Sequence, residues 1–399
     1  EENCREWKKF KIVDRGKYLG VYVGPKAGSI QWDAALKKFK DRSIETGRLK
    51  LPMGLAIRRY SSKAISVLGY IGQFARPPDG FNRLELDAVT RILRIAGSSL
   101  SNGTAHHLCD MGGPKITRPT AYLASCMVRA SLSTIKDVKT MHESLTRLAR
   151  AGGLALANLL TDHPTPDGWD SEAFVTIMYE ASRGIGLPGS SSPTNRKVLD
   201  IIEDFRGGRI KKSLQSKIYK AILSDMPSDW LDLLNRRFVK LCPDMGTLTA
   251  CEFDIIRGNF CKYAKKYGSH SAMYSIKSCT NGWLTSYRMN ETPKLPCIFG
   301  CEDCQDKLEH YINCPTLWSI IQGATQWPFG LIDLSTPTRL CLANPSFDHL
   351  NALGYACWLY HGLKIGQRVR IDELLNLGSF AEVRTLAEEL VNECPLKTS

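Results

Sequence analysis

The chain has 399 residues, 43% of them hydrophobic, and a formal net charge of +13 at neutral pH. This length fits two or three domains, and the apolar fraction excludes a wholly disordered chain. No uninterrupted apolar stretch reaches the roughly 18 residues that a membrane span needs, and the first residues lack the pattern of a secretory signal. The composition therefore predicts a soluble, intracellular protein with no membrane partner. The absence of a start methionine predicts that the chain begins inside a longer protein.

The elements predicted from the chain begin with a β-rich segment at 18–25, which ends in Gly-Pro and indicates a strand running into a turn. Beyond it, apolar residues recur at spacings of three and four, which is the helical period. The predicted helices cover 57–75, 84–95, a segment opened by Pro119, 142–160, a segment capped by Ser228, 252–266, 307–321 and 349–363. The sequence thus predicts a mainly α fold with a short N-terminal β element.

Two runs of turn-forming residues interrupt this pattern, at 163–168 and at 184–193. The second contains Gly-Ser-Ser-Ser-Pro and is the strongest candidate for a domain boundary. The predicted organisation is a β element at 1–30, a helical domain at 31–183, a linker at 184–193, a basic helical connector at 194–290, a cysteine-rich segment at 291–325 and a C-terminal helical tail at 326–399.

Positive charge is concentrated in two stretches. Residues 1–63 hold 16 Lys/Arg against 7 Asp/Glu, and residues 205–220 hold six basic residues and no acidic one. Clustered lysine and arginine favour polyanions, because contacts with phosphates release condensed counterions. The alternative is a solvated basic surface of the kind found on any protein of high isoelectric point.

Four residues near the C-terminus have the spacing of a structural zinc site. Cys297 and Cys301 flank a turn that contains Gly300, and His310 and Cys314 lie one helical turn apart in sequence. Thiolates and imidazole are the ligands that structural zinc prefers, in a tetrahedral set of four. Such a set leaves no position for water, so the predicted zinc is structural and not catalytic.

Cys304 leaves the second ligand open. It could replace Cys301 in the set or remain a fifth thiol beside the ion. A chance grouping in a chain with 14 cysteines is the alternative to any metal site.

Segments at both ends of the chain follow one another in a familiar order. They are 17–25 with Tyr18-Leu19-Gly20, then 66–78, 86–93, 107–114, 281–288, the cysteine cluster from Cys297, and Cys314-Pro-Thr-Leu-Trp318. Together they resemble the C-terminal region of a LINE-type, non-LTR retrotransposon reverse transcriptase. In that resemblance, 1–30 is the end of the palm with its primer grip, 31–183 is a thumb-like helical domain, and the cluster is the family's Cys-Cys-His-Cys knuckle.

The resemblance implies binding of RNA, an RNA–DNA hybrid or DNA, and a nuclear location. It implies phosphate contacts from basic side chains and base stacking by aromatic ones. The candidate nucleic-acid-binding residues are Tyr18, Lys37, Lys38, Lys40, Arg58, Arg59, Lys63, Arg209, Lys211, Lys212, Lys217 and Tyr311. For each of these basic residues the alternative is a solvated surface position, and Trp318 is expected to pack under the knuckle.

The aspartate pair that a polymerase uses to hold two metal ions is absent from the 399 residues. The sequence therefore predicts a nucleic-acid-binding remnant without an active site of its own. Two alternatives stay open. One is a structural or assembly subunit of a larger ribonucleoprotein or other complex, recruited from a retroelement, with protein partners. The other is the C-terminal part of an active RNA-directed DNA polymerase, if a catalytic palm precedes it.

Overall fold

A computed structural model describes residues 13–23, 30–75, 77–134, 200–201, 204–205, 207–210, 212–226, 228–241, 246–325, 335–343 and 346–396. The described chain is mainly helical, with a two-stranded sheet near its N-terminus, which confirms the predicted fold class. The helix predicted at 142–160, the breaks at 163–168 and 184–193, and Lys211 lie outside the described residues. No helix in the described ranges is both long and apolar enough to cross a membrane.

The secondary structure begins with two strands, β1 (Gly16–Tyr18) and β2 (Val21–Val23). The helices are α1 (Asp33–Arg48), α2 (Met53–Arg59), α3 (Phe81–Leu93), α4 (Asn102–His106), α5 (Pro119–Thr134), α6 (Leu214–Asp225), α7 (Trp230–Leu241), α8 (Ala250–Tyr267), α9 (Ser269–Cys279), α10 (Leu308–Tyr311), α11 (Pro315–Thr325), α12 (Thr336–Arg339), α13 (Phe347–His361), α14 (Arg368–Asn376) and α15 (Phe380–Asn392). Short π or 3-10 turns cover Tyr60–Ala64, Ile65–Val67, Ile71–Gln73, Leu108–Met111 and Gly362–Gly366.

The chain divides into two compact units, each assembled from three stretches of sequence. Unit 1 is Glu1–Glu45, Arg59–Glu85 and Thr117–Pro227, and unit 2 is Thr46–Arg58, Leu86–Ile116 and Ser228–Ser399. The sequence, by contrast, predicts segments that follow one another along the chain. Periodicity reports where a helix lies and carries no information on which distant helix shares its core.

A tight hairpin replaces the single strand predicted at 18–25. Leu19 and Gly20 form its turn with φ values of 47° and 89°, and the two strands pair on either side. Positive φ at both turn residues matches the right-handed twist of the flanking strands. The side chain of Gln31 bonds to both the amide nitrogen (2.8 Å) and the carbonyl oxygen (3.3 Å) of Tyr22, which ties β2 to the start of α1.

The core of unit 1 is aromatic. The ring of Phe39 on α1 lies 6.0 Å from that of Tyr60 and 6.1 Å from that of Phe81, and Trp32 lies 6.4 Å from Phe81. All four side chains are buried. These contacts fix the orientation of α1, whose opposite side faces solvent.

The helix predicted over 57–75 is interrupted. Regular α geometry ends with α2, and π and 3-10 turns take the chain onward. Gly69 and Gly72 lie in this region against α5, where an added Cβ would come within 2.6 Å of Tyr122 Oη and 2.3 Å of Leu123 Cδ2. The close approach of α5 to this backbone requires glycine, and both glycines also weaken the helix.

The core of unit 2 is formed by α8, α9 and α13. Ser275 Oγ donates to the carbonyl of Leu350 (2.8 Å), and Tyr263 Oη donates to Asn351 Oδ1 (2.5 Å). These polar groups are buried and paired, as burial requires. The packing of α9 beside α13 places the residues that follow each helix, Trp283 and Lys364 among them, beneath the cysteine cluster.

Candidate metal centre

The first two cysteines of the cluster lie on a loop that closes on itself. Pro296 and Gln305 form an isolated antiparallel bridge, and the amide of Cys297 donates to the carbonyl of Cys304 (2.7 Å). Inside the loop, the amide of Gly300 donates to the carbonyl of Cys297 (3.0 Å). The turn from Cys297 to Cys301 therefore places both thiols on the same side of the loop.

The structure brings together the four residues predicted as ligands. The ligand atoms of Cys297, Cys301, His310 and Cys314 all lie within 4.8 Å of one another. Cys301 Sγ is 3.5 Å from Cys314 Sγ, close to the roughly 3.8 Å separation that a tetrahedral ion with bonds of about 2.3 Å to sulfur would set. The group could hold a metal ion, and Cys304 is not part of it.

The prediction of a single helix over 307–321 is wrong. The segment forms two helices, because α10 ends at Tyr311 and α11 begins at Pro315. The last two ligands therefore do not share a helix face. Cys314 stands in the break, where its Sγ accepts the amide of Leu317 (3.4 Å). The N-terminal end of α11 therefore points at this sulfur and lowers the pKa of its thiol, but the hydrogen bond with Cys297 raises that pKa by more.

The donor set is arranged for a cation. His310 Nε2 is buried and meets no nitrogen or oxygen partner among the described residues, so an ion would supply its missing partner. The hydrogen bond from Cys314 lowers the pKa of the Cys297 thiol, with further contributions from His310 and from backbone amides. The same hydrogen bond raises the pKa of Cys314. Cys297 is thus the first of the pair to ionise.

Tyr311 lies under the cluster, which corrects its prediction as a base-stacking residue. Its side chain is 0% exposed. Its hydroxyl donates to Asp306 Oδ1 (2.9 Å), and its ring stacks on Trp283 (5.8 Å). No face of the ring is available to a base. Trp318 is buried as expected, with Nε1 donating to the carbonyl of Ile312 (2.7 Å).

Sequence reasoning missed the buried carboxylate that supports the cluster. Asp306 is 0% exposed and receives four hydrogen bonds within its unit. The donors are the Ser286 amide (2.6 Å), Tyr311 Oη (2.9 Å), Tyr360 Oη (2.8 Å) and Lys364 Nζ (2.5 Å). Lys364 also lies 3.2 Å from Glu291. The only signal in the sequence is an aspartate inside the cysteine cluster, because Tyr360 and Lys364 are 54 and 58 residues away.

Gly300 is the position where the loop tolerates no side chain. Its φ is +76°, and an added Cβ would lie 2.6 Å from Phe380 Cγ on α15. We expect Gly300→Ala to lower the free energy of unfolding by about 1–3 kcal/mol, since strain and overpacking add. Urea denaturation measures this. Gly258→Ala on α8, where an added Cβ meets nothing within 4 Å, should be neutral or stabilising. Equal stability of the two variants would contradict this account of the loop.

Apart from Tyr311, the candidate nucleic-acid contacts among the described residues lie on the surface. Tyr18 is 69% exposed at the hairpin turn. Arg59 is half-buried and pairs with Glu45 (2.5 Å), and Arg209 pairs with Asp204 (2.6 Å). The remaining described candidates are exposed; they are Lys37, Lys38, Lys40, Arg58, Lys63, Lys212 and Lys217. The structure places Lys37, Lys38 and Lys40 together on α1.

No family model, curated protein or solved structure matches the chain. The resemblance to LINE-type reverse transcriptases stays a prediction from the motifs.

Proposed function

We propose that the chain binds RNA, DNA or an RNA–DNA hybrid through its basic surface, as a reverse-transcriptase-derived thumb and knuckle would. The observation that carries the proposal is the exposed lysine group of α1. Lys37, Lys38 and Lys40 are exposed and form no ion pair with a described carboxylate. Unpaired lysines on a rigid helix suit phosphate contacts that fix position and do not read sequence.

The overall charge supports the same partner. A net charge of +13 raises the local concentration of any polyanion around the protein. Two of the candidate arginines are already paired with carboxylates, so they contribute less to that attraction. The lysines of α1 are therefore the best place to test the proposal.

We also infer that the metal is zinc in a structural role. Three sulfurs and one imidazole nitrogen form a soft donor set, whereas calcium and magnesium prefer oxygen ligands. Four protein ligands complete a tetrahedron and leave no open coordination position. The 399 residues contain no Asp-Asp pair, so no nucleotidyl transfer is assigned to them.

The test is fluorescence anisotropy with labelled RNA, DNA and hybrid duplexes across a salt titration. We expect binding that weakens steeply with salt. Lys37→Gln/Lys40→Gln should reduce the slope of log K against log salt by about 2, because each lost phosphate contact contributes about 0.9.

A matched control pair lies on α8. Lys262 and Lys265 have the same spacing on a helix and are also exposed. Lys262→Gln/Lys265→Gln should leave the slope within the error of the measurement. Equal losses in both pairs would remove α1 from the interface, and the absence of binding to any duplex at low salt would overturn the proposed function.

A further inference from the structure

Unit 2 contains a cavity of about 370 Å³ whose charged lining is entirely cationic. On one side it is lined by the segment that follows α1 and by the C-terminal end of α3. On the other side it is lined by α9 and α13. Lys50, Arg94 and Lys277 line it, and no carboxylate is among its lining residues. Tyr274 and Trp358 form part of the wall. The volume is in the range of small-molecule sites.

Lys277 is the most unusual of these residues. It is 9% exposed, and no carboxylate among the described residues pairs with it. Its Nζ lies 5.8 Å from the centre of the Tyr274 ring. Burial, together with the charge of Arg94, lowers the pKa of Lys277. Burial also raises the pKa of the neighbouring Cys357 to about 12, so that thiol remains neutral and supplies no negative charge.

An unpaired buried ammonium is costly, and an anion that enters beside it offsets part of that cost. The cavity is the space from which such an anion would reach Lys277. Its lining side chains bring two further cations to the same space. The cavity therefore has the charge and the room for a ligand that carries an oxyanion.

The two other cations are held at backbone positions that favour glycine. Lys50 has a φ of 47° and Arg94 a φ of 50°. Arg94 follows the last residue of α3, and its Nη2 donates to the carbonyl of Leu51 (3.1 Å). Long cationic residues in the left-handed region are strained, and such strain concentrates at ligand sites.

We propose that this cavity binds a nucleoside monophosphate, either free or as the terminal nucleotide of a strand. Its phosphate would lie on Lys277 and Arg94, and its ring against Tyr274 and Trp358. The proposal does not depend on the lysines of α1, because none of Lys37, Lys38 and Lys40 lines the cavity.

Isothermal titration calorimetry of the full chain tests this with a nucleoside 5′-monophosphate and with the matching nucleoside. We expect saturable binding of the monophosphate and binding of the nucleoside that is about tenfold weaker or more, since charge-assisted hydrogen bonds are lost. Lys277→Met keeps the unbranched apolar stem of the side chain and removes its charged end, and it should weaken monophosphate binding by about tenfold or more. Lys262→Met, at an exposed lysine of α8, should leave binding unchanged.

Arg94→Gly separates binding from folding. Glycine adopts the φ of 50° without strain, which offsets the lost hydrogen bond to Leu51, so the thermal midpoint should change little while monophosphate affinity falls. Oligonucleotides with a 5′-phosphate or a 5′-hydroxyl distinguish a strand end from a free nucleotide. Equal affinity for nucleoside and monophosphate, or unchanged binding by Lys277→Met, would overturn the proposal. Loss of duplex binding in the salt titration would leave it standing.

Discussion

Replacing Cys314 with serine is expected to abolish stoichiometric zinc binding and to destabilise unit 2. Serine is a good helix N-cap, so the first turn of α11 keeps its hydrogen-bond acceptor while the metal loses a thiolate. At free zinc a thousandfold above the dissociation constant, the lost linkage amounts to about 4 kcal/mol. Zinc content by mass spectrometry and thermal unfolding with and without a chelator measure the two effects.

Cys304→Ser is the matched control, because this cysteine lies on the same loop and outside the group of four. It should retain one zinc per chain and the wild-type response to chelator. If Cys304→Ser loses the metal and Cys301→Ser keeps it, the second ligand has been assigned to the wrong residue. One zinc per chain retained by Cys314→Ser would refute the proposed donor set.

Asp306→Asn is expected to lower the free energy of unfolding by about 3–5 kcal/mol, because it leaves the ammonium of Lys364 buried without its closest counter-charge. The asparagine side chain also places an NH₂ group beside hydrogen-bond donors that, in the wild-type protein, point at the Asp306 carboxylate. Urea denaturation followed by tryptophan fluorescence is a suitable measurement, since Trp283 stacks on both tyrosines that bond to Asp306.

Asp303→Asn provides the control for charge. Asp303 is exposed on the same loop, and asparagine tolerates its φ of 52°. It should change stability by less than about 0.5 kcal/mol. The double variant Asp306→Asn/Lys364→Met should recover part of the loss, because both buried charges are then gone. A double variant no more stable than Asp306→Asn would show that hydrogen bonds, and not charge pairing, dominate.

The fold class and the four members of the cluster were accessible from the sequence, for local reasons. Helical periodicity is a property of neighbouring residues. The helices α3 and α8 begin and end close to where it predicts, and α5 begins at the predicted Pro119. The ligands of the cluster span only residues 297–314, so their spacing already limits how they can meet.

What the sequence could not provide depends on distant residues. In the sequence, Tyr311 resembles an exposed aromatic residue beside a metal site. In the structure it is buried, because its hydroxyl donates to Asp306 and its ring stacks on Trp283. Lys277 resembles any lysine on an amphipathic helix. Its place in a cationic cavity is visible only in the structure, where Arg94 and Lys50, far away in sequence, line the same space.

The interleaved make-up of unit 2 has a consequence for how the chain is made. Arg58 ends its first stretch, and Ser228 begins the stretch that holds most of its core. At about 5–20 residues per second, a ribosome needs roughly 10–30 s to synthesise the intervening chain. Ser99, whose Oγ donates to the carbonyl of Asn281 in the finished protein, is synthesised within this interval and lacks that partner until residue 281 has been made. Until the third stretch has been made, the nascent chain therefore leaves apolar helix faces of unit 2 uncovered, and such faces are what chaperones bind.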